Sequence, residues 1–151
     1  VNIIGLWIVV YLIEKQTGIR KISQLGGLAQ QAPVLAILLV VIALANIALP
    51  LTNAFVGEFM MFAGLYKFSP WYAAAAGISI ILAAVYTLNM VKNVFYGNLN
   101  TITAGFRDIL LHERVILVMI VVMIFIVGVY PEPMFNMIRS TSEMIIGKYI
   151  K

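Results

Sequence analysis

Apolar residues fill long runs of this chain, and the polar positions between them fall at intervals suited to crossing and recrossing a bilayer. The runs cover about residues 1–14, 33–68, 70–95 and 114–130. Within them the pattern has neither the strict alternation of a strand nor the narrow apolar stripe of a soluble helix, which predicts helices surrounded by apolar material. The first run, residues 1–13, is shorter than the roughly 17–25 residues a spanning helix needs. It reads as the end of a span, with Trp7 and Tyr11 near an interface, and as the continuation of a longer protein whose N-terminal part is missing. The expected fold is all-α: a multi-pass transmembrane helix bundle forming a single unit over residues 1–151, with an amphipathic tail over 132–150.

The second run is too long for one span. As a straight helix, residues 33–68 would extend about 54 Å, against a hydrocarbon core of about 30 Å. Near its middle stand Asn46, Pro50, Thr52, Asn53, Gly57 and Glu58. Proline removes a backbone donor and clashes with the preceding turn, while asparagine and glycine tolerate non-helical backbone. The pattern predicts one discontinuous helix: a first half over 33–49, a break near 50–53 with Pro50 and Gly57 as its breaking residues, and a second half over 54–68. Irregular backbone at membrane depth survives only inside protein or beside water, and broken helices mark ion and substrate sites in transporters. Glu58 adds chemistry to the break. A carboxylate at the centre of a spanning helix costs about 2.5–3.5 kcal/mol on an insertion scale. Removal from water favours a carboxyl's neutral form, and a carboxyl poised between its two forms can take up and release a proton. Glu58 is therefore the candidate proton carrier; the bland alternative is a neutral acid hydrogen-bonded between helices.

Elsewhere the polar positions are fewer. Residues 14–32 form a polar connection with Lys15, Arg20 and Lys21, broken by Gly18, Gly26 and Gly27. Tyr66, Lys67, Phe68, Trp71 and Tyr72 suit a membrane surface. In the third run Tyr86, Thr87 and Asn89 either lead protons or water towards Lys92 or bond neighbouring helices. Residues 97–113, with Arg107, Asp108, His112 and Glu113, read as a solvated or partner-facing surface. The fourth run carries no ionisable side chain beyond its first residue, and Pro131 and Pro133 stop it. In the tail, Met134, Met137, Ile138, Ile145 and Tyr149 fall near one face, with Arg139, Glu143 and Lys148 mostly elsewhere, as in an interfacial or partner-packing helix. By alternation, Lys15, Arg20, Lys21, Lys92, Arg107 and Arg114 share one side, and Lys67, Arg139, Lys148 and Lys151 the other. The positive-inside rule puts the two long loops in the cytoplasm.

Composition agrees and narrows the chemistry. Charged residues are 11% and apolar residues 63%, where soluble domains carry about 25% charged. With no cysteine there is no disulfide and no thiolate site for an iron–sulfur cluster. The single histidine, His112, makes no metal constellation. The net charge of +4 comes from scattered residues, unlike a nucleic-acid-binding face.

Several stretches resemble a known family. Ile22-Ser-Gln-Leu-Gly-Gly-Leu28, Leu49-Pro-Leu-Thr-Asn-Ala-Phe-Val-Gly-Glu-Phe59, Tyr86 with Phe95-Tyr-Gly97, the 108–113 stretch and Gly128-Val-Tyr-Pro131 are similar to the C-terminal part of the antiporter-like subunits of respiratory complex I, the proton-pumping NADH:quinone oxidoreductase. The acid at position 58 resembles the subunit M (chain 4) branch; related subunits L and N and the Mrp-type antiporters usually carry lysine there. The resemblance implies that Glu58 is the terminal proton-transfer carboxyl on an interrupted helix, supported by a polar path of Asn46, Thr52, Asn53, Tyr86 and Lys92. It also implies that this chain holds no cofactor and no metal, with NADH, flavin, iron–sulfur clusters and quinone in partner subunits. Implied partners are the other membrane-arm subunits, the neighbouring L and N among them, in a bacterial inner membrane. Subunits of an Mrp-type cation/proton antiporter or of a membrane-bound hydrogenase are the alternatives. One departure is Leu51, where the family often has glycine, so the local backbone of the break is open.

Overall fold

The structure is a computed structural model that describes the backbone of residues 1–149 and the side chains of residues 1–139, Ser142 and Met144. The described backbone is helical throughout its regular segments: α1 (Asn2–Thr17), the single turn α2 (Leu28–Gln31), α3 (Pro33–Asn46), α4 (Asn53–Phe68), α5 (Pro70–Phe95), α6 (Leu111–Val129) and α7 (Glu132–Tyr149), with a short 3₁₀ turn over Ile22–Gln24. α5 and α6 are long and apolar enough to cross a membrane. The expected helical membrane bundle with one discontinuous helix is what forms. The side-chain pattern expected at Glu143, Ile145, Lys148 and Tyr149 lies outside the described residues.

α3 is the centre of the bundle. It packs against α1, α5 and α6, and Leu35, Ala36, Leu38, Leu39, Ile42, Ala43 and Ala45 are buried. The small Gly5 lets α1 approach closely, since a Cβ there would meet Ile42 at 3.1 Å and Ile120 at 3.2 Å. α4 packs mainly on α5 and α6, and none of its residues is fully buried. The two halves of the interrupted helix thus differ: the first is enclosed and the second lies along the edge.

The break spans residues 47–52, earlier than expected, because α3 ends in a Schellman turn. Ala48 takes the left-handed conformation, φ +56°. Its N–H donates to the Ala45 carbonyl at 3.3 Å, and the Leu49 N–H to the Leu44 carbonyl at 3.1 Å. A second turn follows, closed by the Thr52 N–H on the Leu49 carbonyl at 3.1 Å, with Pro50 in its second position. Leu51, at φ +76°, occupies the third, where a type II turn calls for glycine. Thr52 is fully buried and its hydroxyl donates to the Leu49 carbonyl at 2.6 Å. Asn53 already belongs to α4. Gly57, expected to help break the helix, sits inside α4 with open space where a Cβ would go. An interior helical glycine costs only about 1 kcal/mol against alanine, so the flanking hydrogen bonds carry the helix through it.

On one side of the bundle the two long loops interlock. A Cβ on Gly27, φ +68°, would come within 2.8 Å of the Leu99 nitrogen, and Asn100 Nδ2 donates to the Gln24 carbonyl at 2.7 Å. Gln16 pairs with the Arg107 backbone in both directions, each bond 3.0 Å. Residues 97–113 are therefore not simply a solvated surface: Phe106 and Ile109 are buried, and Asp108 between them points at the start of α3. The Val34 N–H donates to Asp108 Oδ2 at 3.0 Å and the Leu35 N–H to Oδ1 at 3.2 Å.

Candidate functional site at the helix break

Glu58 lies on the second turn of α4, on the face that meets α5. It lines a cavity of about 340 Å³ together with Asn46 and Ile47 from the end of α3, Met61 from α4, and Ser79 and Ala83 from α5. At about 30 Å³ per molecule in the liquid, that volume accommodates several waters. The walls are mostly apolar, with the Asn46 amide, the Ser79 hydroxyl and the Glu58 carboxyl as the polar groups. Glu58 is half-buried, and among the described residues no cationic side chain lies within 4.0 Å of it. The C-terminal end of α3, which carries the partial negative charge of its macrodipole, borders the same cavity through Asn46 and Ile47. Carboxyl, helix end and a space with room for several waters thus meet where the first half-helix stops.

The structure distributes the other expected site residues unevenly. Asn46 is brought to Glu58. Thr52 turns its hydroxyl back into the break. Asn53 has a side-chain oxygen shielded from solvent and, among the described residues, without a hydrogen-bond partner. Tyr86 and Lys92 are exposed and do not line the cavity. Lys92 stands nine residues beyond Ala83, which is half a revolution around α5 and about 13.5 Å along it. Ser79, which sequence reading passed over, does line the cavity; it sits at helical spacing between Ala76 and Ala83 on the same α5 face. Its hydroxyl donates to the Ala76 carbonyl at 2.6 Å, leaving its oxygen free to accept.

A helical membrane bundle whose discontinuous helix brings a carboxyl to its break has the architecture of ion-coupled membrane transporters. The chain belongs to the family described as NADH:quinone oxidoreductase/Mrp antiporter, TM, which matches residues 2–85. It is 31% identical to NADH-quinone oxidoreductase subunit M of Rickettsia prowazekii over 146 residues, 96% of this chain and 30% of that protein. It is 35% identical to NADH-quinone oxidoreductase subunit 13 of Thermus thermophilus over 127 residues, 84% of this chain and 26% of that one. A chain in the solved structure of respiratory complex I from Thermus thermophilus with bound NADH superposes with a TM-score of 0.75 at 34% identity, covering 81% of this chain and 26% of the other. The resemblance to subunit M read from the sequence is borne out, and the chain spans 30% of the length of the first of these relatives.

Proposed function

We propose that this chain is a segment of a proton-translocating membrane subunit of NADH:quinone oxidoreductase, with Glu58 as its terminal proton-transfer carboxyl. The supporting observation is the placement of Glu58: an acid in an apolar helix lines a cavity with room for several waters where the first half-helix stops, beside Asn46. A carboxyl at membrane depth is costly, and one that faces such a space can exchange a proton with water there. Asn46 and Ser79 would orient those waters, and Thr52 and Asn53 would shape the break. Tyr86 and Lys92 would serve further along the path rather than at the carboxyl.

In this reading the whole protein is a multi-pass subunit of a bacterial inner membrane, among the other membrane-arm subunits and next to the L and N type. NADH, flavin, iron–sulfur clusters and quinone would be held by partner subunits, so that redox chemistry occurs elsewhere and this subunit supplies the translocase step. The alternative is a cation/proton antiporter of the Mrp type, since the matching family includes both; the acid at position 58 favours the complex I reading. The test is Glu58→Gln in the whole complex reconstituted into vesicles. Proton uptake driven by NADH should fall severely while assembly persists, and Glu58→Asp should retain more. Full pumping by the glutamine variant would remove the proton-carrying role.

A further inference from the structure

We propose that Asp108 is a positioning residue for the Glu58 site: it fixes the first half-helix at its far end and so sets where the break stands beside the carboxyl. This rests on the reading of Glu58 given above. The start of α3 has a specific shortage. The first four N–H groups of a helix have no partner within it. Here Pro33, at the first position, has no N–H to satisfy. The Ala36 N–H donates to the Ala32 carbonyl at 3.0 Å. Val34 and Leu35 remain, and the residue in the capping position is Ala32, whose methyl group cannot accept. Both remaining donors go to the two oxygens of Asp108, 74 and 73 residues away. An anionic carboxylate at the positive end of a helix is the favoured partner by charge as well as geometry.

Asp108 is itself held. Its Oδ1 also accepts from the Ile109 N–H at 2.8 Å. On one side, Arg107 is locked to α1 by the paired bonds with Gln16. On the other, the Leu110 N–H donates to Glu113 Oε2 at 3.0 Å, at the start of α6. Residues 107–110 thus form a strap that ties α3 to α1 and α6 through its first turn. The opposite end of α3 is tied to α1 as well, by Asn2 Nδ2 donating to the Ala45 carbonyl at 3.1 Å. A helix of this length is about 21 Å long and moves as a rod. A change at its first turn is therefore carried to Asn46 and Ile47, which line the Glu58 cavity. Proton transfer through water needs donor and acceptor held at hydrogen-bond distances, so a displaced Asn46 weakens transfer without removing any group that carries the proton.

The experiment compares Asp108→Asn, Asp108→Glu, Gln16→Ala and Glu58→Gln in the full reconstituted complex, reading protons pumped per NADH oxidised in particles of matched subunit content. Asp108→Asn keeps the shape but loses the charge and one acceptor; it should lower the ratio to about half. Asp108→Glu should recover most of it, which a generally destabilised bundle would not show. Gln16→Ala, at an exposed pair, should give a smaller loss and serves as the deciding variant if Asp108→Asn does not assemble. A normal ratio in Asp108→Asn, or in Gln16→Ala where it decides, with a low ratio in Glu58→Gln, would overturn the positioning role and leave the Glu58 reading standing. A normal ratio in Glu58→Gln would overturn both.

Discussion

Gly128 of α6 lies directly against the carbonyl group of Leu51: a Cβ built on Gly128 would overlap the Leu51 oxygen and the Thr52 carbonyl carbon. The break in the discontinuous helix is thus seated on a neighbouring helix at a point where only hydrogen fits. Both obstructing atoms belong to the backbone, which cannot swing aside as a flexible side chain would. Gly128→Ala should destabilise the bundle by about 1–3 kcal/mol or more, the usual cost of overpacking. Gly64→Ala, inside α4 where a Cβ meets nothing within 4 Å, should raise stability by up to about 1 kcal/mol, the helix-propensity difference. The apparent melting temperature of the detergent-solubilised complex would separate the two.

Leu51 stores strain that glycine would release. A left-handed conformation costs a non-glycine residue about 1–3 kcal/mol, and the Leu51 side chain is 63% exposed, so little burial is lost on removing it. Glycine's extra freedom in the unfolded chain takes back about 0.5–1 kcal/mol. Leu51→Gly should therefore raise stability by about 1 kcal/mol, seen as a higher melting temperature with pumping retained.

Asn46 touches the same cavity as Glu58 but holds no ionisable proton. Asn46→Leu should lower the pumping rate several-fold while leaving assembly intact, a smaller loss than Glu58→Gln causes. Equal losses in the two variants would mean that the amide is as necessary to transfer as the carboxyl.

Thr87 is 2% exposed and its hydroxyl has no hydrogen-bond partner among the described residues. Replacing an unpaired buried hydroxyl by a methyl of the same shape is nearly neutral or stabilising. Thr87→Val should leave the melting temperature unchanged or raise it by an amount equivalent to about 1 kcal/mol, with normal pumping. A loss of pumping would place this hydroxyl on the proton path.

Much of this arrangement is legible in the sequence because it departs from a uniform apolar background. Glu58 and Pro50 stand out in the middle of a run whose other charge, Lys67, and other proline, Pro33, lie at its ends, so the discontinuous helix and its acid follow from local signals. The limits of the break do not. α3 stops at Asn46 because Ala48 turns left-handed, and alanine gives no warning of that. Asp108 is invisible for another reason. Its partners lie more than seventy residues upstream, and what it satisfies is a pair of backbone donors that leave no mark on side-chain pattern. The one available hint was Ala32 before Pro33, a helix start with no local cap. Lys92 stands apart from the cavity because helical phase, which polarity alone does not report, puts it half a revolution round α5 from Ala83.

The ties at the two ends of α3 grip main-chain amide and carbonyl groups, not side chains. Any apolar residues of suitable volume could therefore fill the segment between them and keep both anchors engaged. Its length has no such latitude: one inserted residue would turn the far end by about 100° and advance it by about 1.5 Å, pulling either Asp108 or Asn2 off its hold. Residue count, rather than residue identity, is what this rod transmits from one face of the bundle to the other.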